Sequence, residues 1–339
     1  MSKVYVFDPT ASDKLSFVRG VGRYLQILKE NFPDWTFTDK LVNPLTHNSQ
    51  TILINPFFNF LQKPVTMRRV AKKQIAVIHD LIPLKYPRHF PAGFRGNLNI
   101  LFNRFALQNY DLVVTDSETS KKNIIDILGL PESKIKVIYP CLPKSFLKIE
   151  KGKFNKNGKL KIENFCLYVG DATWNKNLIN LVKAIKIINV TCIFAGKVFE
   201  KLSGDFSNAW QKDLNLFISE TKDDKRFVFA GFVSDNQLIK LYQQARLNVM
   251  PSRDEGFGFS FLEAGNFGCP SVSSDTPVFN EVSQGNSLFF DPENPNDIAD
   301  KIGEIYFNKE LRNSFGQKAK KRSEFFSEKK FQKDFLNLI

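Results

Sequence analysis

Two glutamates, Glu255 and Glu263, flank a glycine turn in the stretch EGFGFSFLE. The turn follows the apolar run Leu247–Met250 and leads into a helical pattern, so the segment predicts a strand, a loop and a helix. Glycines let backbone N–H groups approach a ligand, and a helix N-terminus favours an anion. We expect one ligand to contact both carboxylates, Glu255 near its reacting end and Glu263 deeper. The turn residues expected to bind it are Gly256, Phe257 and Gly258.

This arrangement resembles the E-x7-E motif of retaining glycosyltransferases with the GT-B fold, closest to glycosyltransferase family 4. The resemblance implies that Glu255 holds the hydroxyls of a donor sugar and that Glu263 holds the ribose of the nucleotide. An isolated pair of this kind is also compatible with a surface helix that carries two solvated acids. The interpretation therefore depends on further motifs in the correct order.

A second motif lies upstream in the stretch YVGDATWNKNL, which ends a strand and opens a helix. A lysine near a helix start, beside a glycine turn, is well placed for a diphosphate. The stretch is similar to the family's Gly-x(5)-Lys motif, which implies that Gly170 faces the donor and Lys176 binds phosphate. Many family members have Arg after the glycine, where this chain has Asp171. Either another cation serves, with Arg253 and Lys197 as candidates, or the phosphates are arranged differently.

In the stretch VIHDLIPLKYP, His79 and Asp80 end an apolar strand, predicted over Gln74–His79, and lead into a Pro-containing loop. Ligands of parallel α/β sheets bind beyond the carboxyl ends of strands, so His79 is a candidate to hydrogen-bond a sugar hydroxyl or to donate to developing charge. A lone histidine can also be a satisfied structural residue. The whole stretch is similar to the His-Asp-x-x-Pro segment of one branch of family 4, which implies a site role. Arg88 and His89 are candidates for the acceptor side.

Three weaker glycine turns complete the set. The sequence RGVGRY is similar to the family's N-terminal glycine loop, which implies that Gly22 faces the cleft. The turns that contain Lys197 and Phe232 follow apolar strands and resemble family segments near the nucleotide and its base. No GxGxxG followed by a ribose-binding acid is found, so a nicotinamide site is not predicted.

These motifs need elements to position them, and strands alternate with helices along the whole chain, as in parallel doubly wound sheets. The polar stretch 150–161 predicts a linker. The predicted fold is α/β, GT-B, with two Rossmann-like domains facing a cleft. The predicted domains are an N-terminal acceptor-binding domain (1–150), a C-terminal nucleotide-sugar-binding domain (151–320) and a C-terminal helix (321–339) that packs back on the N-terminal domain.

Two helices are predicted in detail. One spans Ser117 to Leu128, with Asp116 or Ser117 as its N-cap and Gly129 just past its end. The other is amphipathic, because five large apolar residues recur with helical spacing. They are Phe94, Leu98, Leu101, Phe102 and Phe105. The Lys-rich, Phe-rich tail after Leu311 predicts a packed terminal helix, with a membrane-surface helix as the alternative.

Composition narrows the functional class. The net charge is +13, and residues 1–150 carry 21 Lys and Arg against 12 Asp and Glu, whereas the remainder carries 27 against 23. The basic half could attract an anionic membrane, an anionic acceptor or nucleic acid, but no nucleic-acid-binding signature is found. Four scattered cysteines and three histidines predict no zinc site and reduced thiols, hence a cytoplasmic protein, with a peripheral position at the inner membrane face as the alternative. No apolar stretch is long enough to span a membrane.

Taken with the resemblance, the sequence predicts a hexosyltransferase that moves mannose or a similar hexose from a nucleotide diphosphate sugar to a saccharide or lipid-linked saccharide. The resemblance implies retention of anomeric configuration, no metal and no cofactor other than the donor, for which GDP-mannose is the first candidate. The alternatives are a GT-B nucleotide-sugar epimerase and a non-enzymatic, basic nucleic-acid-binding protein.

Overall fold

The structure is a computed structural model that describes residues 3–11, 20–40, 50–147, 162–200, 202 and 208–339. The chain divides into two compact units. Unit 1 is Met1–Pro143 together with Phe326–Ile339, and unit 2 is Lys144–Phe325. The predicted linker, 150–161, lies outside the described residues.

Unit 1 is an α/β unit whose described strands form one parallel sheet of six strands in the order β2-β1-β3-β4-β5-β6. The strands are β1 Lys3–Phe7, β2 Thr36–Thr38, β3 Thr51–Asn55, β4 Lys73–Val77, β5 Leu112–Thr115 and β6 Ile135–Val137. The helices are α1 Gly20–Asn31, α2 Ile82–Lys85, α3 Gly93–Leu107 and α4 Glu118–Leu128.

Local sequence signals explain how these elements begin and end. The side chain of Ser117 accepts a hydrogen bond from the Ser120 backbone N–H at the start of α4, and Gly129 ends the helix in the left-handed conformation at φ 68°. This confirms the predicted caps. Strand β4 is buried along most of its length, as expected for an inner strand of a parallel sheet, but it ends at Val77, two residues before the predicted end at His79.

The C-terminal segment of unit 1 is helix α13, Glu328–Leu336. Its aromatic residues Phe331 and Phe335 are buried, and the Phe335 ring centroid lies 5.8 Å from that of Phe32 and 6.1 Å from that of Trp35. Phe331 contacts Tyr24 edge-to-face at 6.1 Å. The aromatic residues of this helix are therefore used in packing, which leaves them unavailable for a membrane surface.

Unit 2 repeats the α/β pattern, and its described strands also form one parallel sheet of six strands, ordered β12-β11-β10-β7-β8-β9. The strands are β7 Phe165–Val169, β8 Thr191–Ala195, β9 Phe227–Gly231, β10 Leu247–Met250, β11 Ser271–Ser274 and β12 Leu288–Phe290. The helices are α5 Lys144–Leu147, α6 Leu178–Ile188, α7 Lys212–Thr221, α8 Asp235–Gln244, α9 Phe259–Asn266, α10 Pro277–Ser283, α11 Pro295–Phe307 and α12 Lys309–Ser323.

The strand order of unit 2 locates its ligand-binding edge. From β7 the chain proceeds through β8 and β9 on one side, and then returns to place β10, β11 and β12 on the other side. The direction of winding therefore changes between β7 and β10. In open parallel sheets, a ligand binds beyond the carboxyl ends of the strands at this switch point.

None of the described helices is both long enough and apolar enough to span a bilayer.

Candidate active site

The switch point of unit 2 holds an ion pair between two predicted site residues. Lys176 lies in a short 3₁₀ turn between β7 and α6, and Glu255 lies in the loop after β10. The Lys176 Nζ atom is 2.5 Å from Glu255 Oε1, and Ser252 Oγ donates to the same carboxylate oxygen at 2.7 Å. The two side chains are 20% and 18% exposed, so the pair is partly shielded but accessible.

Backbone contacts hold these two loops together. Arg253 N–H donates to the Asn175 carbonyl at 2.7 Å, and the Asn175 side-chain amide donates to the Asp254 carbonyl at 3.1 Å. The Asp254 carboxylate in turn accepts from the Glu255 N–H at 2.9 Å. These hydrogen bonds therefore fix the residues on both sides of the switch point relative to one another.

The glycine turn before α9 has a conformation that glycine permits. Gly258 has φ 92°, and a Cβ atom there would lie 2.9 Å from Phe279 Cε1 and 3.1 Å from Met250 Cε. Helix α9 begins at Phe259 with no side-chain cap and no acid in its first turn. Its positive N-terminal end therefore has no compensating charge of its own, which suits an anionic ligand.

The other residues predicted in this motif differ in exposure. Glu263 is buried in the second turn of α9, where it accepts a hydrogen bond from Tyr242 Oη at 3.0 Å. Phe257 is buried and contacts Phe259 edge-to-face at 5.4 Å, whereas Gly256 lies in the turn between Glu255 and Phe257. Phe257 is therefore a packing residue of the turn, and Glu263 already has a hydrogen-bonding partner within unit 2.

The glycine turn at Gly170, after β7, packs tightly against the turn at Gly196, after the neighbouring strand β8. The Gly170 N–H donates to the Ala195 carbonyl at 3.0 Å, and a Cβ atom on Gly196 would lie 2.0 Å from the Gly170 oxygen. Asp171 is exposed, and its carboxylate accepts from the Ala172 N–H at 2.8 Å. Asp171 therefore stabilises the turn, in the place where many family members have a cation.

The two cations suggested as substitutes are in different situations. Arg253 forms an ion pair with Glu293 at 2.6 Å, donates to the Trp174 carbonyl at 2.8 Å and lies over the Trp174 ring. Its charge is therefore largely compensated. Lys197 is exposed directly after β8 and forms no ion pair within the described parts of the chain. Of the two, Lys197 is the available cation. The predicted site residue Phe232 lies directly after β9, and its side chain is 52% exposed.

His79 lies just beyond β4 in unit 1 and is hydrogen-bonded on both ring nitrogens. Its Nδ1 atom is 2.6 Å from Asp116 Oδ2, and its Nε2 atom is 2.9 Å from the Pro56 carbonyl. Because both partners are acceptors, the ring carries a proton on each nitrogen when it makes both bonds. Burial opposes this charge, but the Asp116 carboxylate and the two hydrogen bonds outweigh it and raise the pKa of His79 above its ordinary value.

Both ring nitrogens of His79 are already used within unit 1. The predicted contact with a sugar hydroxyl would require one of the two existing hydrogen bonds to be exchanged. The Tyr24 ring also packs edge-to-face on the imidazole, with centroids 4.6 Å apart. Gly22 is buried in the first turn of α1, two residues before Tyr24.

Sequence reasoning did not identify Asp116 as the partner of His79, although it named Asp116 as a possible helix cap. Strands β4 and β5 are neighbours, so the residues that follow them meet at one edge of the sheet. Ser252 was also missed as a contact of Glu255. A search for polar residues just after neighbouring strands would have found both, since Asp116 follows β5 directly and Ser252 lies two residues after β10.

Comparison with known families agrees with this geometry. Residues 3–145 match the family model described as Glycosyltransferase Family 4, and residues 150–322 match the model described as Glycosyl transferases group 1. The chain therefore belongs to glycosyltransferase family 4, with the GT-B architecture of two parallel α/β units.

Several curated relatives are mannosyltransferases. The chain is 31% identical over 230 residues to the O-antigen chain mannosyltransferase RfbU of Salmonella typhimurium, which covers 66% of this chain and 58% of that protein. It is 24% identical over 235 residues to the O-antigen chain mannosyltransferase B of Escherichia coli, covering 68% and 60% of the two chains. The matched regions thus span little more than half the length of these relatives.

Solved structures match over the entire chain. Anabaena Alr3699/HepE in complex with UDP and glucose superposes with a TM-score of 0.73 at 16% identity, covering 100% of this chain and 99% of that one. WaaG, a glycosyltransferase involved in lipopolysaccharide biosynthesis, superposes with a TM-score of 0.66 at 11% identity, covering 100% and 99%. These likenesses show the fold.

Proposed function

We propose that the chain is a retaining hexosyltransferase that moves mannose, or a similar hexose, from a nucleotide diphosphate sugar to a saccharide or lipid-linked saccharide in surface polysaccharide assembly. The observation that carries the proposal is the Lys176–Glu255 pair at the switch point of the unit 2 sheet. A cation and a carboxylate at this edge match two adjacent parts of a nucleotide sugar, since the diphosphate is anionic and the sugar next to it carries hydroxyls.

In this proposal the leaving diphosphate is stabilised by groups of the chain itself. Lys176 and Lys197 supply positive charge, and the uncapped N-terminus of α9 supplies backbone N–H groups. Fixed charges and dipoles aimed at developing negative charge are among the largest contributions to catalysis. Glu255 holds the sugar hydroxyls, and Glu263 holds the ribose.

The proposed reaction follows the retaining chemistry of the family. The acceptor hydroxyl attacks the anomeric carbon on the face that the diphosphate leaves, so the new C–O bond forms as the bond to phosphate breaks. The hydroxyl proton passes to a phosphate oxygen of the leaving group. Unit 1 is proposed to bind the acceptor, with the His79–Asp116 pair shaping its edge.

Two comparisons, one with relatives and one with a structural neighbour, support the choice of donor. Mannosyltransferase relatives favour GDP-mannose, and a structural neighbour that contains UDP and glucose makes UDP-glucose the alternative. A thermal-shift comparison of GDP-, UDP-, dTDP- and ADP-sugars with EDTA present decides between them. A ligand at a hundred times its Kd stabilises the folded state by about 2.7 kcal/mol, a shift of several degrees.

Matched variants make this experiment specific. Lys176→Ala should abolish the shift, whereas Lys309→Ala, an exposed lysine of α12, should keep it. Stabilisation by one nucleotide class that is lost only in Lys176→Ala supports the proposal. A shift that survives Lys176→Ala, or no shift with any nucleotide sugar, contradicts it.

A further inference from the structure

Helix α3 of unit 1 turns its large apolar side chains outward. At about 100° per residue these side chains lie within roughly 100° of arc, so they form one continuous stripe. Their exposed fractions are 80% for Phe94, 38% for Leu98, 48% for Leu101, 44% for Phe102 and 53% for Phe105. Single exposed apolar residues are ordinary on a protein surface, but a contiguous stripe of five marks an interaction site.

The opposite face of α3 explains why the stripe is exposed. Asn99 donates to the Leu61 carbonyl at 2.9 Å, and Asn103 donates to the Gln62 carbonyl at 2.7 Å. Gly96 lies on the same buried face, and a Cβ atom there would lie only 2.9 Å from Ala92 Cβ. Rotating the stripe inward would break these partly buried hydrogen bonds. The outward orientation is therefore fixed by the inner face.

The chain segment that contains the stripe is rich in cations. Residues 40–110 contain a single acid, Asp80, and ten cations, which are Lys40, Lys63, Arg68, Arg69, Lys72, Lys73, Lys85, Arg88, Arg95 and Arg104. Helix α3 itself has no acid. By helical spacing, the exposed Arg95 and Arg104 lie on opposite sides of the stripe, about 70° and about 110° from its middle. The apolar surface is thus bordered by positive charge on both sides.

We propose that this stripe inserts into the surface of an anionic lipid bilayer. Aromatic and leucine side chains between flanking arginines suit the boundary between acyl chains and anionic headgroups. A second copy of the chain is disfavoured, because docking two stripes would bring Arg95 and Arg104 of both chains, all of the same charge, into one interface. The proposal goes beyond sugar transfer and does not depend on it.

Vesicle co-sedimentation of the full chain tests the proposal. Wild type should bind vesicles that contain phosphatidylglycerol more tightly than vesicles of phosphatidylcholine alone. Phe94→Ser with Phe105→Ser should weaken binding by about a hundredfold, roughly tenfold for each ring partly removed from water. The control is Phe307→Ser on α11, where the side chain is 66% exposed and far along the chain from α3; it should bind as wild type does.

The charge requirement has its own variant pair. Arg95→Gln with Arg104→Gln should remove most of the preference for phosphatidylglycerol, whereas Lys320→Gln with Lys321→Gln on α12 should keep it. Circular dichroism and thermal unfolding verify that each variant is folded. Failure of wild type to bind, or equal binding by the Phe94/Phe105 variant, overturns the proposal. So does light scattering that shows a lipid-free dimer dissociated by that variant. Because no donor is present, the result is independent of transferase activity.

Discussion

Replacing Glu255 with Gln should strengthen the binding of a nucleoside diphosphate and at the same time nearly abolish sugar transfer. Lys176 is paired with Glu255, so an incoming diphosphate competes with that carboxylate for the lysine. Gln keeps the shape and the contact with Ser252 but removes the competing charge. The sugar, in contrast, loses the carboxylate proposed to hold its hydroxyls.

The magnitudes follow from the exposure of the pair. An ion pair with side chains 20% and 18% exposed is less screened than a surface pair, so it contributes on the order of 1 kcal/mol. Release of Lys176 should therefore tighten binding of GDP or UDP about fivefold. Transfer should fall by about 10²–10³, the range typical for loss of one group that stabilises a transition state.

Isothermal titration with GDP and UDP, which lack the sugar, separates these two effects. Lys176→Met should weaken diphosphate binding, and the double variant Lys176→Met/Glu255→Gln should behave like Lys176→Met alone. Glu310→Gln, an exposed acid on α12, serves as the control for loss of one negative charge. If Glu255→Gln weakens diphosphate binding as much as Lys176→Met does, the competition is refuted.

Two further predictions concern stability. His79 has a raised pKa because Asp116 and the hydrogen bonds outweigh burial, so its contribution is complete below the unfolded value of about 6.5 and is lost as pH rises through the folded pKa. The Tm of wild type should fall across that window, and a His79→Gln variant should lack this component; an unchanged profile would contradict the ion pair. Gly258→Ala should destabilise unit 2 by about 2–4 kcal/mol through its positive φ and its clash with Phe279, whereas Gly268→Ala, with positive φ but open space, should lose only about 1 kcal/mol. Equal losses in denaturant unfolding would show that the clash is absent.

The sequence predicted those parts of the fold that depend on local signals. The caps of α4 at Ser117 and Gly129 were predicted because their side-chain and backbone requirements involve only neighbouring residues. The strand, turn and helix around Gly258 were predicted for the same reason. Strand β3 was missed, although all five of its residues are buried.

Contacts between distant segments required the structure. Lys176 and Glu255 are 79 residues apart, and they meet because β7 and β10 are neighbours in the sheet. His79 meets Asp116 because β4 adjoins β5. The spacing of Phe94 and Phe105 predicted an amphipathic helix, but spacing alone does not determine which face of a helix packs inward.

The release of nucleoside diphosphate from GDP-mannose and UDP-glucose, with EDTA present, tests the central claim most directly. The proposed site predicts slow release from one donor by wild type, acceleration by a suitable saccharide acceptor, and loss of both in Lys176→Ala. Release that is equal in Lys176→Ala, or no release from either donor with any acceptor, would contradict a nucleotide-sugar site at the switch point of unit 2.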